Sequence, residues 1–182
     1  MSSRRRKTEE PIENKIVRIL ISQNITVSFA ESCTGGLAAA SLVNADGISS
    51  VFSESYVTYS NEAKTRILGV KKETLSSFGA VSRETAAEMA EGAARASGAD
   101  IAIATTGIAG PGGGTEEKPV GLVYIGCCYR GKTIVKRCFY GGDRQAIRYA
   151  AAKEALEILY CQILTCALEK DGDEKESAVI MN

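Results

Sequence analysis

Three segments of the chain carry residue types that could do chemistry. The first, Glu31-Ser-Cys-Thr-Gly-Gly36, joins a strand candidate to a short helix. Such a turn presents a hydroxyl or a thiol, Ser32 or Cys33, at the carboxyl edge of a sheet, where α/β proteins build ligand sites. Gly35 and Gly36 let the backbone approach a ligand closely, and a helix N-terminus favours negative charge. Simple capping of the turn is the alternative use of the same residues. The segment is neither a GxSxG elbow nor a Walker loop.

The second segment is Tyr56-Val-Thr-Tyr-Ser-Asn-Glu-Ala-Lys64. Lys64 falls in the first turn of its helix, where the dipole disfavours a cation. On the surface it is an ordinary solvated charge; buried near a site, the same placement lowers its pKa and makes it a usable base. Ser60, at i, i+4 from Lys64, is a rival partner for it. The third segment is the loop from Thr106 to Pro119, with glycines at 107, 110, 112, 113 and 114. Backbone N–H groups in such a loop can form an anion-binding nest. Flexible connectors share that composition, but Pro111 and Pro119 argue for a set shape. Gly141-Gly-Asp-Arg144 and Arg148 add a cationic helix start. Two arginines on one helix face suit a phosphate or a carboxylate, although Arg148 could equally pair with a glutamate.

A hydroxyl or thiol on a sharp turn, a lysine and anion-binding loops together favour nucleophilic chemistry on a phosphorylated or otherwise anionic small molecule. The composition narrows the means. The 182 residues include no histidine, which excludes Ser-His-Asp triads, Cys-His pairs and HExxH zinc sites. Proton transfer near neutrality then falls to a carboxylate, a cysteine, a tyrosine or a perturbed lysine. Serine or cysteine activated by lysine is the leading option. A thiol at Cys33 could ionise without any lysine, so the residues by themselves leave Ser32 and Cys33 both open.

These segments need elements to hold them. Ile12, Ile16, Ile19, Leu20 and Gln23 predict an amphipathic helix after Pro11, and Ile25–Phe29 alternates as a strand. A short helix over Leu37–Val43 follows, then a strand within Val51–Tyr59 and a helix over Asn61–Leu68 stopped by Gly69. Ser82 and Gly98 bracket an alanine-rich helix. Asp100–Thr106 reads as a buried strand, and Val120–Tyr129 with Lys132–Tyr140 as a hairpin about Arg130-Gly131. A long last helix starts near Asp143, with Ile147, Ala151, Leu156, Leu159, Ile163 and Leu168 on its stripe. The alternation predicts a single three-layer α/β/α domain with a mixed sheet over residues 12–168. Residues 1–11, with a basic run at Arg4–Lys7, and the acidic stretch 169–182 are expected to be disordered tails.

The 22 basic and 22 acidic residues balance, which argues against a dedicated nucleic-acid or membrane surface. No apolar run reaches membrane-spanning length, and Met1–Glu10 has no apolar leader segment. The six cysteines form no CxxC pair. They read as buried reduced thiols of a cytoplasmic protein, Cys127 and Cys128 on opposite strand faces and Cys161 and Cys166 within the last helix's stripe. No metal site and no cofactor are expected.

The motifs resemble the CinA C-terminal domain family, whose active members are nicotinamide mononucleotide deamidases. The likeness is carried by Ala30-Glu-Ser-Cys-Thr-Gly-Gly36, Thr58-Tyr-Ser-Asn-Glu-Ala-Lys64, Gly79-Ala-Val-Ser82, Thr106-Gly-Ile-Ala-Gly-Pro111, Glu117-Lys-Pro-Val-Gly121 and Gly142-Asp-Arg144 with Arg148. These words occur in order over most of the chain. The resemblance implies hydrolysis of nicotinamide mononucleotide to nicotinate mononucleotide and ammonia, in pyridine nucleotide recycling. It implies Ser32 as nucleophile and Lys64 as base, with Tyr59 beside them lining the pyridine pocket. Backbone N–H groups around Cys33, Thr34, Gly35 and Gly36 are then candidates for the oxyanion hole. Thr106, Gly107, Gly112, Gly113, Arg144 and Arg148 would hold ribose and phosphate. A free lysine titrates near about 10.4, so burial must bring Lys64 down toward neutrality. The likeness is to the stand-alone form, without the N-terminal domain that many members carry, and a homo-oligomer is expected. The alternatives are a catalytically inactive nucleotide-binding regulatory module of the same fold, or an amidase for another small amide.

Overall fold

The computed structural model describes residues 10–180, with side chains as far as Thr165. Pro11 precedes helix α1 (Ile12–Gln23), which buries Ile16, Val17 and Leu20 and ends at Asn24 in the left-handed region. Strand β1 (Val27–Glu31) is buried at all five positions. It lies two residues beyond the expected Ile25–Phe29. The polar positions that suggested a half-exposed strand are satisfied inside instead. Ser28 Oγ donates to the Glu54 carbonyl at 3.0 Å, and Asp100 Oδ2 accepts from both Thr26 N and Thr26 Oγ1 at 2.9 Å.

After the short α2 (Leu37–Leu42) the strand expected within Val51–Tyr59 shrinks to β2 (Tyr56–Val57), plus a lone parallel bridge from Phe52 to Val27. A 3-10 turn at Ile48–Ser50 and the polar run Ser53-Glu-Ser55 take up the rest. Helix α3 (Asn61–Leu68) is bounded as expected, by Ser60 accepting from Ala63 N and by Gly69. Helix α4 (Lys72–Phe78) has no cap of its own. Its first turn is capped from α5 (Arg83–Ser97), where Glu88 accepts from Lys71 N and Thr74 Oγ1 at 2.8 Å. Ser82 caps α5 through Thr85 N, and Gly98 ends it. Strands β3 (Ile101–Gly107), β4 (Leu122–Tyr129) and β5 (Lys132–Phe139) follow. The turn between β4 and β5 places Arg130 and Gly131 at positive φ, the conformation that a two-residue hairpin requires. Asp143 Oδ1 accepts from Ala146 N at 2.8 Å and starts α6 (Arg144–Ile180).

The strands form one mixed sheet in the order β2-β1-β3-β4-β5. β1 runs parallel to β2 and β3, while β4 and β5 are antiparallel to their neighbours. Helices α1, α2 and α6 cover one face and α3, α4 and α5 the other, giving the expected three layers. Alternation along β3 sends Ile101 and Ile103 into the α1/α2/α6 core and Ala102 and Ala104 toward α5. The α5 side is built from small residues because that helix lies close: a Cβ on Gly126 of β4 would meet the Ala86 carbonyl oxygen at 2.4 Å.

Cys127 and Cys128 face opposite cores, as expected. Cys161 differs, lying exposed on α6; a wide helix face has room for a thiol outside its buried stripe. Cys166 and Leu168 lie outside the residues whose side chains are described. Helix α6 runs on to Ile180, past residue 168 where the folded domain was expected to end; alanine, glutamate and lysine in this stretch are good helix formers. Among the described residues no helix is long and apolar enough to cross a membrane.

Candidate active site

Parallel pairing brings the ends of β1, β2 and β3 to one sheet edge, and the pairing continues past the strands. Ser32 N donates to the Thr105 carbonyl at 2.9 Å and Thr58 N to the Glu31 carbonyl at 3.0 Å. Ser32 is thereby fixed beside the extended segment that leads into α3. Lys64, in the first turn of that helix, is 1% exposed. Its Nζ lies 3.0 Å from Ser32 Oγ, 2.8 Å from the Thr58 carbonyl oxygen and 3.2 Å from the Tyr59 carbonyl oxygen. Desolvation by burial lowers the Lys64 pKa to about 8. A neutral amine has two hydrogens for the two carbonyls and one lone pair left for the Ser32 hydroxyl. Ser60 is not its partner, since that hydroxyl caps α3.

Cys33 is 6% exposed, and burial pushes its thiol up to about 12, with the Glu31 carboxylate adding to the shift. A thiol so placed stays protonated near neutrality. Of the two nucleophiles that the residues leave open, Ser32 alone has a base in contact.

The turn after Ser32 is held from several sides. Glu31, buried, accepts from Gly36 N at 2.9 Å, Ala38 N at 3.2 Å and Ala39 N at 2.8 Å. Its carboxylate therefore fills the α2 N-terminus, which the sequence offers as an anion site. Sequence reasoning missed this role: Glu31 lies six residues before the helix, outside ordinary N-cap spacing. Thr34 Oγ1 and Thr105 Oγ1 share a hydrogen bond of 2.6 Å. Arg148 donates from Nε to the Cys33 carbonyl at 3.1 Å and from Nη2 to the Thr34 carbonyl at 2.7 Å.

One turn earlier on α6, Arg144 donates to the Gly110 carbonyl at 2.7 Å and to Tyr59 Oη at 2.9 Å. A cleft of about 220 Å³ opens there, lined by Cys33, Tyr59, Arg144 and the glycine loop, including Gly107, Gly112 and Gly113. Ser32 and Lys64 are not among its lining residues, but Cys33, which follows Ser32 in the chain, and Tyr59, whose carbonyl accepts from Lys64, are. The Thr106 hydroxyl donates to the Ala80 carbonyl at 2.6 Å, on the side of the sheet that α5 covers. A larger groove of about 600 Å³ lies between α3 and α4 around Thr65, Arg66 and Leu75, and contains none of these groups. Among the described residues no cluster of Cys, Asp or Glu is placed to hold a metal ion.

Fold and site together define a three-layer α/β domain with a buried Ser-Lys pair at the carboxyl edge of a mixed sheet. The CinA C-terminal domain family matches residues 9–163, so the chain belongs to the CinA family. A CinA-like protein of Kosmotoga olearia is 58% identical over 151 residues, 83% of this chain and 37% of that protein. The chain thus spans little more than a third of such curated relatives. Two solved structures cover it more evenly. The CinA superfamily protein of Klebsiella pneumoniae has a TM-score of 0.81 and 36% identity, over 85% of this chain and 96% of its own. The competence/damage inducible protein CihA of Agrobacterium tumefaciens has a TM-score of 0.77 and 45% identity, over 86% and 98%.

Proposed function

We propose that the protein hydrolyses the carboxamide of nicotinamide mononucleotide to nicotinate mononucleotide and ammonia, with Ser32 as nucleophile and Lys64 as base. The observation that carries this reading is the contact of Lys64 Nζ with Ser32 Oγ at 3.0 Å, in a lysine whose burial lowers its pKa to about 8. At pH 7 about one lysine in ten is then neutral, enough for a base that is regenerated each turnover. The Ser32 hydroxyl gives its proton to Nζ as Oγ bonds to the amide carbon and the carbonyl electron pair moves onto oxygen. Collapse of that intermediate breaks the C–N bond, and the Lys64 ammonium protonates the departing nitrogen to give ammonia. Water, deprotonated by the same amine, then cleaves the ester and returns the proton to Ser32.

The charge of Arg144 and the N–H groups of Gly112 and Gly113 suit the phosphate, and the Tyr59 ring, 60% exposed at the cleft, suits the pyridine. In the same reading the enzyme works in the cytoplasm as a homo-oligomer, without a cofactor. Chromatography of the mononucleotide after incubation with the protein tests the reading. Nicotinate mononucleotide and ammonia in equal amounts are expected; unchanged substrate, or release of free nicotinamide, overturns it.

A further inference from the structure

Arg148 is not among the residues that line the cleft, and its guanidinium is engaged by the carbonyls of the turn that follows Ser32. In a planar trans peptide the C=O of one residue and the N–H of the next point in opposite directions. Drawing the Cys33 and Thr34 carbonyls toward α6, at 3.1 and 2.7 Å, therefore turns the Thr34 and Gly35 N–H groups to the other side of the turn. Among the described residues no oxygen accepts from either amide, Thr34 N meeting only the Cys33 sulfur, whereas Ser32 N bonds to the Thr105 carbonyl and Gly36 N to Glu31. The turn is tight against its clamp. A Cβ on Gly35, which has a φ of +64°, would come within 3.2 Å of Arg148 Nη2. The guanidinium engages the two carbonyls from two separate nitrogens of one rigid plane, a spacing that the single Nζ of a lysine in its place does not reproduce.

We infer that Arg148 is a positioning residue, which holds the Cys33 and Thr34 carbonyls so that the Thr34 and Gly35 N–H groups form the oxyanion hole for attack by Ser32. This rests on the proposed hydrolysis, and it assigns Arg148 to the turn rather than to a phosphate. The negative oxygen formed as the Ser32 Oγ–C bond closes is then met by two donors that need no rearrangement.

Steady-state ammonia release by Arg148→Ala and Arg148→Lys tests it, alongside the rate at which a fluorophosphonate labels Ser32. In that labelling the Oγ–P bond forms, fluoride leaves and the serine proton passes to Lys64, so it needs the nucleophile, the base and the hole but no nucleotide. Both variants are expected to lose about 10²-fold in kcat, the range of a lost oxyanion donor, with KM within about threefold of wild type. The labelling rate should fall in parallel, the midpoint of the pH–rate profile should stay in place, and added guanidinium should restore kcat to Arg148→Ala. A raised KM with kcat retained would make Arg148 a substrate-binding residue and overturn the proposal, as would unchanged labelling. If wild type releases no ammonia yet is labelled, the substrate assignment fails and the labelling series still decides the clamp. Wild type that does neither overturns both.

Discussion

Lys64 Nζ lies 3.0 Å from Ser32 Oγ across a separation of 32 residues, with the Thr58 and Tyr59 carbonyls as its other acceptors. The contact joins the end of β1 to the first turn of α3. The lysine sits where both burial and the helix dipole disfavour charge, a placement that costs stability and gives the proposed reaction its base.

Activity should rise with pH through the Lys64 ionisation. The lysine must be neutral to accept the Ser32 proton, and its pKa is lowered to about 8. The logarithm of kcat/KM should climb with a slope near one below that midpoint and level above it. A profile flat from pH 6 to 9 would contradict a lysine base.

Lys64→Arg should abolish turnover, by at least about 10³-fold, because a guanidinium stays protonated at any working pH. Ammonia release measured on the variant at pH 8 checks this. Normal turnover would make Lys64 a binding residue only.

The same lysine should leave a signature in stability. The unfolded chain keeps the lysine proton up to about pH 10.4, the folded chain only to about 8. Between these values the unfolded state holds more protons, so stability rises with pH, by at most about 1.4 kcal/mol per pH unit. Below the folded pKa both states are protonated and the burial penalty is fully present. Urea unfolding of wild type and Lys64→Met should show wild type gaining on the variant from pH 8 to 10. A difference independent of pH would contradict the lowered pKa.

Glu31→Gln should destabilise the fold through α2. The carboxylate accepts three backbone N–H groups at the start of that helix, and an amide leaves one NH₂ facing donors. A loss of about 2 kcal/mol is expected, a fall in Tm of about 4–8 °C for a chain of this size. Calorimetry showing an unchanged Tm would mean that the cap contributes nothing.

The parts legible in the sequence were those with local causes. Ser60 and Gly69 bound α3, and Ser82 and Gly98 bound α5, because caps act within one turn. Ser32 and Lys64 stood out by residue type and motif, while the choice between Ser32 and Cys33 needed burial, which no local pattern encodes. Helix α4 was not legible, since Glu88 of the next helix caps it. The strand expected within Val51–Tyr59 is short, Tyr56–Val57 with a lone bridge at Phe52, because the polar run Ser53-Glu-Ser55 separates the aromatic and β-branched residues that signal strand. The partners of Arg148 lie 114 and 115 residues away in the chain, and its helix face alone suggested a ligand or a glutamate.

The most direct measurement is ammonia release from nicotinamide mononucleotide by wild type and Ser32→Ala, side by side at pH 8. Turnover by wild type with none above background from Ser32→Ala is the result expected of a Ser32 nucleophile served by Lys64. Equal turnover by the two proteins, or none from well-folded wild type, would contradict it.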